Sequence, residues 1–145
     1  MRKMICLLAV VVMIASVVYA APKMKITAKD VPGLKGTWEG MLGFGMMEAA
    51  TSPVKLEILN DTAPVKAKLT ITKVPDELAR RLAITTGAGG QVVMESEEGS
   101  LTTAGTIMFT GPAKNFLEVT LTGEKKISLW YYWMGLKGDG NLKKK

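Results

Sequence analysis

Residues 117–134, LEVTLTGEKKISLWYYWM, decide the fold because they contain two alternating runs that meet at a turn. In residues 117–122, Leu and Val alternate with Glu and Thr, and a second run follows over residues 127–134. Successive side chains of a β-strand point to opposite faces, so this period of two predicts strands with one buried face. Gly123-Glu124 between the runs is a turn signal. The stretch therefore predicts an antiparallel hairpin.

Similar runs occur along most of the chain after residue 34, for example VKLEI at residues 54–58. Turn residues separate them, and the later runs recur at intervals of roughly 10–12 residues, a spacing typical of β-sandwiches and barrels. The predicted strands are residues 35–46, 53–60, 64–73, 91–97, 102–110, 114–122, 125–134 and 136–143. Residues 75–83 instead predict one short helix, because Leu78 and Leu82 are spaced i, i+4 and Pro75 suits a first turn.

Residues 1–20 have the pattern of a secretory signal peptide. Arg2 and Lys3 precede an apolar run, and small residues come before a cleavage point after Ala20 or Ala21. The alternative is an uncleaved membrane anchor, since the run approaches the length of a span. Cleavage lowers the formal net charge from +6 to +4 and leaves no stable membrane span. The predicted organisation is a signal peptide (1–20), an extended lead-in (21–33) and one β-barrel domain (34–145).

The composition of the 145-residue chain excludes several chemistries. The chain has no His, which removes the Ser-His-Asp and Cys-His arrangements and the commonest zinc ligand. Its one Cys, Cys6, lies in the predicted signal peptide, so the mature chain forms no disulfide. We therefore predict a protein that is not an enzyme and that needs no metal or cofactor. An exported chain without cysteine fits a periplasmic or secreted location, most simply a bacterial one.

Gly36-Thr37-Trp38, at the start of the first predicted strand, resembles the Gly-x-Trp signature of lipocalins. The wider run of residues 36–43 is similar to the first strand of avidin-like proteins. Both resemblances imply an antiparallel up-and-down barrel of about eight strands that holds a small ligand, with the Trp closing one end. In lipocalins a basic residue of the last strand packs on this Trp, and Lys137 is the nearest counterpart here. The families' ligand residues have no recognisable match, so only the architecture is inferred.

Residues 127–134 form the densest aromatic cluster of the chain. On a strand, Ile127, Leu129, Tyr131 and Trp133 share one face, which we assign to the barrel interior. Such side chains either fill the barrel or line a pocket in which the Tyr131 hydroxyl orients a ligand. Residues 40–47, GMLGFGMM, predict either a methionine-rich loop at the barrel mouth or a strand corner packed on the core. The predicted ligand-binding residues are Trp38, Phe44, Met46, Leu129, Tyr131 and Trp133.

Trp130, Tyr132 and Met134 share the opposite face of the same strand. Two exposed rings predict a partner surface, a homodimer contact through Trp130 and Tyr132, or cover by the helix. The leading functional prediction is binding of a small apolar or aromatic ligand in the barrel without catalysis. The alternative is an envelope interaction protein with a filled barrel that uses this outer aromatic face. A third hypothesis, an enzyme such as an isomerase, requires an inward Glu beside an inward Tyr.

No nucleic-acid partner is expected. The lysines lie at strand ends, as in Lys125-Lys126 and Lys143-Lys144-Lys145, while the aromatic residues lie within one strand. Nucleic-acid-binding proteins instead interleave basic and aromatic residues along one surface.

Overall fold

The computed structural model describes residues 23–45, 47–111, 115–133 and 136–145, with the side chains of these except residues 47–49, 97, 133 and 136. The predicted signal peptide lies outside the described residues. The elements in chain order are α1 (Val31–Leu34), β1 (Gly36–Phe44), β2 (Met47–Ile58), β3 (Val65–Ile71), α2 (Asp76–Arg81), β4 (Val92–Leu101), β5 (Ile107–Thr110), β6 (Phe116–Gly123), β7 (Lys126–Trp133) and β8 (Leu136–Lys144). Within the described ranges, no helix has the length and apolar character needed to cross a membrane.

Each strand pairs antiparallel with the next, and β8 pairs with β1, so the sheet closes into an eight-stranded barrel. The predicted antiparallel up-and-down barrel is therefore confirmed. The hairpin of β6 and β7 pairs Leu117 with Tyr131 and Val119 with Leu129, as the alternation of the opening stretch requires. Inward side chains of all eight strands form one continuous core.

Three predicted strand boundaries are wrong by four or more residues, and one of them is the end of the fourth strand, which lies at Leu101 instead of residue 97. The second strand begins at Met47 instead of residue 53, because residues 47–52 continue the pairing with β1 past a register shift at Gly43/Phe44. The fifth strand begins at Ile107 instead of residue 102. A turn occupies the preceding residues, in which Thr102 Oγ1 contacts Thr106 Oγ1 at 2.8 Å and Gly105 has a φ of 78°. Positive φ favours glycine, which explains the break in the strand.

The β1–β8 seam alternates glycine with large residues on its inward side. Each glycine of one strand pairs with a large residue of the other: Gly40 with Leu142, Gly140 with Leu42, and Gly138 with Phe44. A Cβ atom at Gly140 would overlap the backbone carbonyl of Met41, and one at Gly40 would overlap that of Asn141. The glycines thus let the two strands approach closely, which is how a curled sheet closes on itself.

The chain before β1 covers one end of the barrel, which we call the α1 end. The amide of Met24 donates to the carbonyl of Leu121 in β6, and that of Ile26 donates to Gly105, both at 2.8 Å. α1 then places Val31 and Leu34 in the core. The predicted extended lead-in therefore ends in a second helix that the sequence pattern did not indicate.

The other end, the α2 end, carries the predicted helix between β3 and β4. Leu78 is fully buried there, so the helix packs on the barrel core. The following loop is tied back to the end of β3, since the amides of Lys73 and Val74 donate to the carbonyls of Gly89 and Gly90. Both ends thus carry chain that packs against the barrel core.

Substituting Gly140→Ala tests the seam. We expect a loss of about 1–3 kcal/mol in the free energy of unfolding, because the added methyl group overlaps the Met41 carbonyl and forces the strands apart. Urea unfolding followed by circular dichroism measures it. The matched control is Gly43→Ala in the same seam, where the nearest atom to a Cβ is the Asp139 carbonyl oxygen at 3.7 Å. Equal stability of the two variants would contradict this account of closure.

Candidate functional site

Four of the six predicted ligand-binding residues have described side chains, and all four are buried inside the barrel. Trp38 and Phe44 come from β1, and Leu129 and Tyr131 come from β7. Met46 and the side chain of Trp133 lie outside the described part of the structure. The inward assignment of Leu129 and Tyr131 is correct, while ligand binding by these residues stays a prediction.

Trp38 closes the α1 end. Its indole Nε1–H donates to the backbone carbonyl of Leu34 at 2.8 Å, which satisfies a buried donor with a group of α1. The Lys144 ammonium lies 5.6 Å from the centre of the indole ring, within the range of a cation–π contact, and also donates to the Gly33 carbonyl at 2.6 Å. Contacts of the Trp38 indole and the Lys144 ammonium with each other and with α1 therefore hold the helix against this end of the barrel.

The expectation that Lys137 packs on Trp38 is wrong. β8 pairs Lys144 with Trp38, whereas Lys137 pairs with Tyr132 near the α2 end. The reason is register: an eight-stranded closed sheet places the last residues of β8, and not its first ones, beside the start of antiparallel β1.

Tyr131 differs from the rest of the core because its buried hydroxyl has no hydrogen-bond partner among the described residues. Leaving such a group unsatisfied costs about 1–3 kcal/mol. Burial also raises the pKa of the Tyr131 phenol, because the ionised form would lie in an apolar surrounding. A polar atom within reach of this oxygen, from a water molecule or a ligand, would recover part of that free energy.

The described side chains pack closely around these residues. Trp38, Leu129 and Tyr131 are each 0% exposed to solvent. An eight-stranded barrel has an interior just wide enough for its own side chains. A ligand in contact with these three residues would therefore have to displace neighbouring groups.

The outer surface of β6 and β7 carries three neighbouring rings, Phe116, Trp130 and Tyr132, which we call the aromatic face. The Phe116 ring centre lies 4.8 Å from that of Trp130, tilted by 56°, and 5.6 Å from that of Tyr132, nearly parallel at 19°. Trp130 is 42% exposed, which is unusual for so large an apolar side chain. The face therefore presents aromatic surface to solvent.

Carboxylates flank the exposed indole on both sides. Glu118 of β6 and Asp139 of β8 are the residues paired with Trp130 across the sheet, so all three share the outer face. The ion pairs found among the described residues do not include Glu118 or Asp139. The centre of the aromatic face thus combines a ring with two carboxylates that lack a cationic partner in this part of the chain.

Sequence reasoning placed Trp130 and Tyr132 on the outer surface but did not include Phe116, Glu118 or Asp139. The register of the β6–β7 hairpin was the missing signal. A tight turn at Glu124-Lys125, followed by a register shift between Leu121 and Gly123, aligns Phe116 with Tyr132 and Glu118 with Trp130. Asp139 could not be placed without the register of β8. The homodimer contact through Trp130 and Tyr132 stays a prediction.

The acidic residues show no arrangement suited to catalysis within the described ranges. Each described Asp and Glu side chain is at least partly exposed. No group of three or more metal-ligating side chains occurs among the described residues either. The enzyme hypothesis required a Glu inside the barrel beside Tyr131, and the described residues supply none. That the protein is not an enzyme stays a prediction.

The chain matches no protein-family model and no curated protein. Among solved structures it is similar to a redesigned β-barrel, with a TM-score of 0.50 and 16% sequence identity. The similarity covers 86% of this chain and 99% of that one. At this identity the likeness shows the eight-stranded barrel fold alone.

Tyr131→Phe tests the unpartnered hydroxyl. We expect this substitution to raise the free energy of unfolding by about 1–3 kcal/mol, because it removes an unsatisfied polar atom and keeps the ring. Urea unfolding measures the change. The control is Tyr132→Phe, which removes the same atom from the outer surface and should change stability by less than about 0.5 kcal/mol.

Comparison of the unmodified protein with the Tyr131→Phe variant also tests the ionisation of the Tyr131 phenol. The pKa of Tyr131 is raised in the folded state, so above about pH 10 the unfolded chain releases this proton first and stability falls as the pH rises. The Tyr131→Phe variant should lack this part of the alkaline loss. A destabilised variant would mean that the hydroxyl has a partner in the folded protein, and an unchanged alkaline profile would mean that burial does not raise the pKa of Tyr131.

Proposed function

We propose that the protein is a non-catalytic, exported interaction module. Its aromatic face binds Lys or Arg side chains of a partner protein. The observation that carries the proposal is Trp130, a large ring 42% exposed at the centre of one sheet face and flanked by two carboxylates. Trp, Tyr and Arg are the residues most enriched among the energetically dominant residues of protein interfaces.

The chemistry of the aromatic face selects a cationic partner. A Lys or Arg head group placed over an indole gains a cation–π interaction, and its apolar stem covers ring surface. Glu118 and Asp139 lie beside Trp130 where they could pair with such a head group. An Arg side chain suits the site best, since its planar guanidinium both stacks on a ring and binds a carboxylate through two donors.

The charge of the whole chain supports this selectivity. The chain carries a formal net charge of +6, or +4 after removal of the predicted signal peptide, yet the residues on both sides of Trp130 are acidic. A cationic partner is therefore attracted beside Trp130, at the centre of the face, while Lys137 places a positive charge opposite Tyr132 at its edge. Such local complementarity fixes orientation and suppresses wrong contacts. The exported location is inferred from residues 1–20 of the sequence.

The test uses short synthetic peptides that alternate Leu with Arg, and matched peptides that alternate Leu with Glu. We expect the Arg peptides to bind, with an affinity that falls as salt is added. Trp130→Ala and the double variant Glu118→Gln/Asp139→Asn should each weaken binding at least about tenfold, as expected for a residue at the centre of an interface. Isothermal titration calorimetry gives the affinities.

Val93→Ala is the matched control for this experiment. Val93 is 45% exposed and apolar, but it lies on β4, which pairs with β3 and β5 and not with the strands that carry the aromatic face and its carboxylates. Binding that depends equally on Val93 and Trp130, or that is unaffected by both acid substitutions, would contradict the proposal. Sedimentation of the unliganded protein shows whether a second copy occupies the face, in which case Trp130→Ala would convert a dimer to a monomer.

Binding of a small apolar or aromatic ligand inside the barrel is a second candidate function. The unpartnered hydroxyl of Tyr131 favours it, since a ligand with a polar atom at that position would satisfy a buried donor. The resemblance of Gly36-Thr37-Trp38 to the lipocalin signature also favours it. The close packing around Tyr131, which is fully buried, opposes it.

Native mass spectrometry of the protein isolated from its source tests the second candidate. A small organic compound bound one to one, and lost in Tyr131→Phe, is the result expected for a ligand held by this hydroxyl. The Tyr132→Phe protein should keep the compound. If every preparation carries no added mass, binding inside the barrel is contradicted.

A further inference from the structure

A cleft lined by lysines lies at the α1 end, where β6 turns into β7 and β8 ends. It has a volume of about 520 Å³, and its lining includes Lys125, Lys126, Lys143 and Lys144. Glu124 is the one acidic residue among the lining side chains. The cleft therefore brings together four lysine side chains, of which the Lys144 ammonium already donates to the Gly33 carbonyl, and this charge favours an anion with several negative oxygens.

The fold holds these like charges together. Lys126 pairs directly with Lys143 across β7 and β8, and the amide of Lys144 donates to the carbonyl of Lys125 at 3.1 Å. Like charges directly opposite each other destabilise a sheet. Among the described residues, no ion pair includes Lys125, Lys126 or Lys143. An anion bound in the cleft would relieve this repulsion.

The α2 end lacks this concentration of charge. The cleft beside α2 is lined by one acid, Asp76, and one base, Arg80. Within the helix itself, Arg81 pairs with Glu77 at 2.6 Å. The two ends of the barrel therefore differ in electrostatic character, and the α1 end is the cationic one.

The N-terminal chain enters the fold at the same end. Met24 pairs with Leu121, and the next residue of β6, Thr122, lines the lysine cleft. The chain that follows the predicted signal peptide therefore joins the barrel at its cationic end.

We propose that the α1 end docks on a membrane surface, with the lysine cleft contacting the phosphates of anionic lipid headgroups. A lipid surface presents many phosphates in one plane, so several lysines can bind at once. Each lysine near an anionic leaflet contributes about fivefold to the partition coefficient. The contact is peripheral, uses the end of the barrel, and leaves the aromatic face on β6 and β7 free for a partner.

Vesicle sedimentation tests the proposal with the exported protein as isolated, its N-terminus identified by mass spectrometry. The probes are vesicles of pure phosphatidylcholine and of phosphatidylcholine with phosphatidylglycerol. We expect binding to the anionic vesicles that falls with added salt. The triple variant Lys125→Gln/Lys126→Gln/Lys143→Gln should weaken it by about a hundredfold, since three lysines each contribute about fivefold.

The matched control is Lys73→Gln/Arg80→Gln/Lys137→Gln, which removes the same number of positive charges from exposed positions away from the α1 end. It should bind the anionic vesicles within about threefold of the unmodified protein, since its charges lie more than a Debye length from the surface. Thermal unfolding of each protein establishes that all remain folded.

Three results would overturn the proposal. The first is equal loss of vesicle binding in the two triple variants, which would mean that binding depends on the net charge of the protein and not on the lysine cleft. The second is no binding to anionic vesicles at low salt. The third is binding of inorganic pyrophosphate in the cleft without vesicle binding, which would assign the site to a free polyanion. Trp130→Ala should bind vesicles normally, so failure of the partner proposal is distinguishable from failure of this one.

Discussion

Closure of the sheet between β1 and β8 is the constraint on which the rest of the structure depends. Eight curled strands close only if the first and last approach each other, and the pairing of Gly40 with Leu142 and of Gly140 with Leu42 permits that approach. Closure gives every described strand two neighbours, so no whole strand lies at a sheet edge, although β2 before Val54 and β4 before Gly99 extend past one of their neighbours. The recognition surfaces proposed for the protein are accordingly an outer face and one end of the barrel.

The same seam explains how the barrel holds its large side chains. Where β8 contributes Gly138 and Gly140, the interior gains room that Leu42, Phe44 and the rings of β1 and β7 occupy. Trp38 and Tyr131 are fully buried as a result. The glycines thus leave space for the large aromatic side chains opposite them. This pairing lets a narrow barrel reach the packing density of an ordinary protein interior.

The division of chemistry between the inside and the outside follows from this packing. The interior is apolar apart from a few hydroxyl and amide groups, of which the Tyr131 hydroxyl finds no hydrogen-bond partner in the part of the chain that the structure describes. Charged groups lie on the outer surface, where acids flank Trp130 and lysines gather at the α1 end. The proposed partner and membrane contacts use these two separate surfaces, so one small barrel can bind both at the same time.

Alternation along residues 117–134 determined the hairpin, the inward position of Leu129 and Tyr131, and the outward position of Trp130 and Tyr132, because the side-chain period of a strand is a local property. Tertiary structure alone decided the rest. Lys144 instead of Lys137 contacts Trp38, Phe116 completes the aromatic face, and lysines far apart in sequence share a cleft. These contacts depend on the register between strands and on closure of the sheet, which arise from pairing of residues distant in the chain and leave no periodic mark in the sequence.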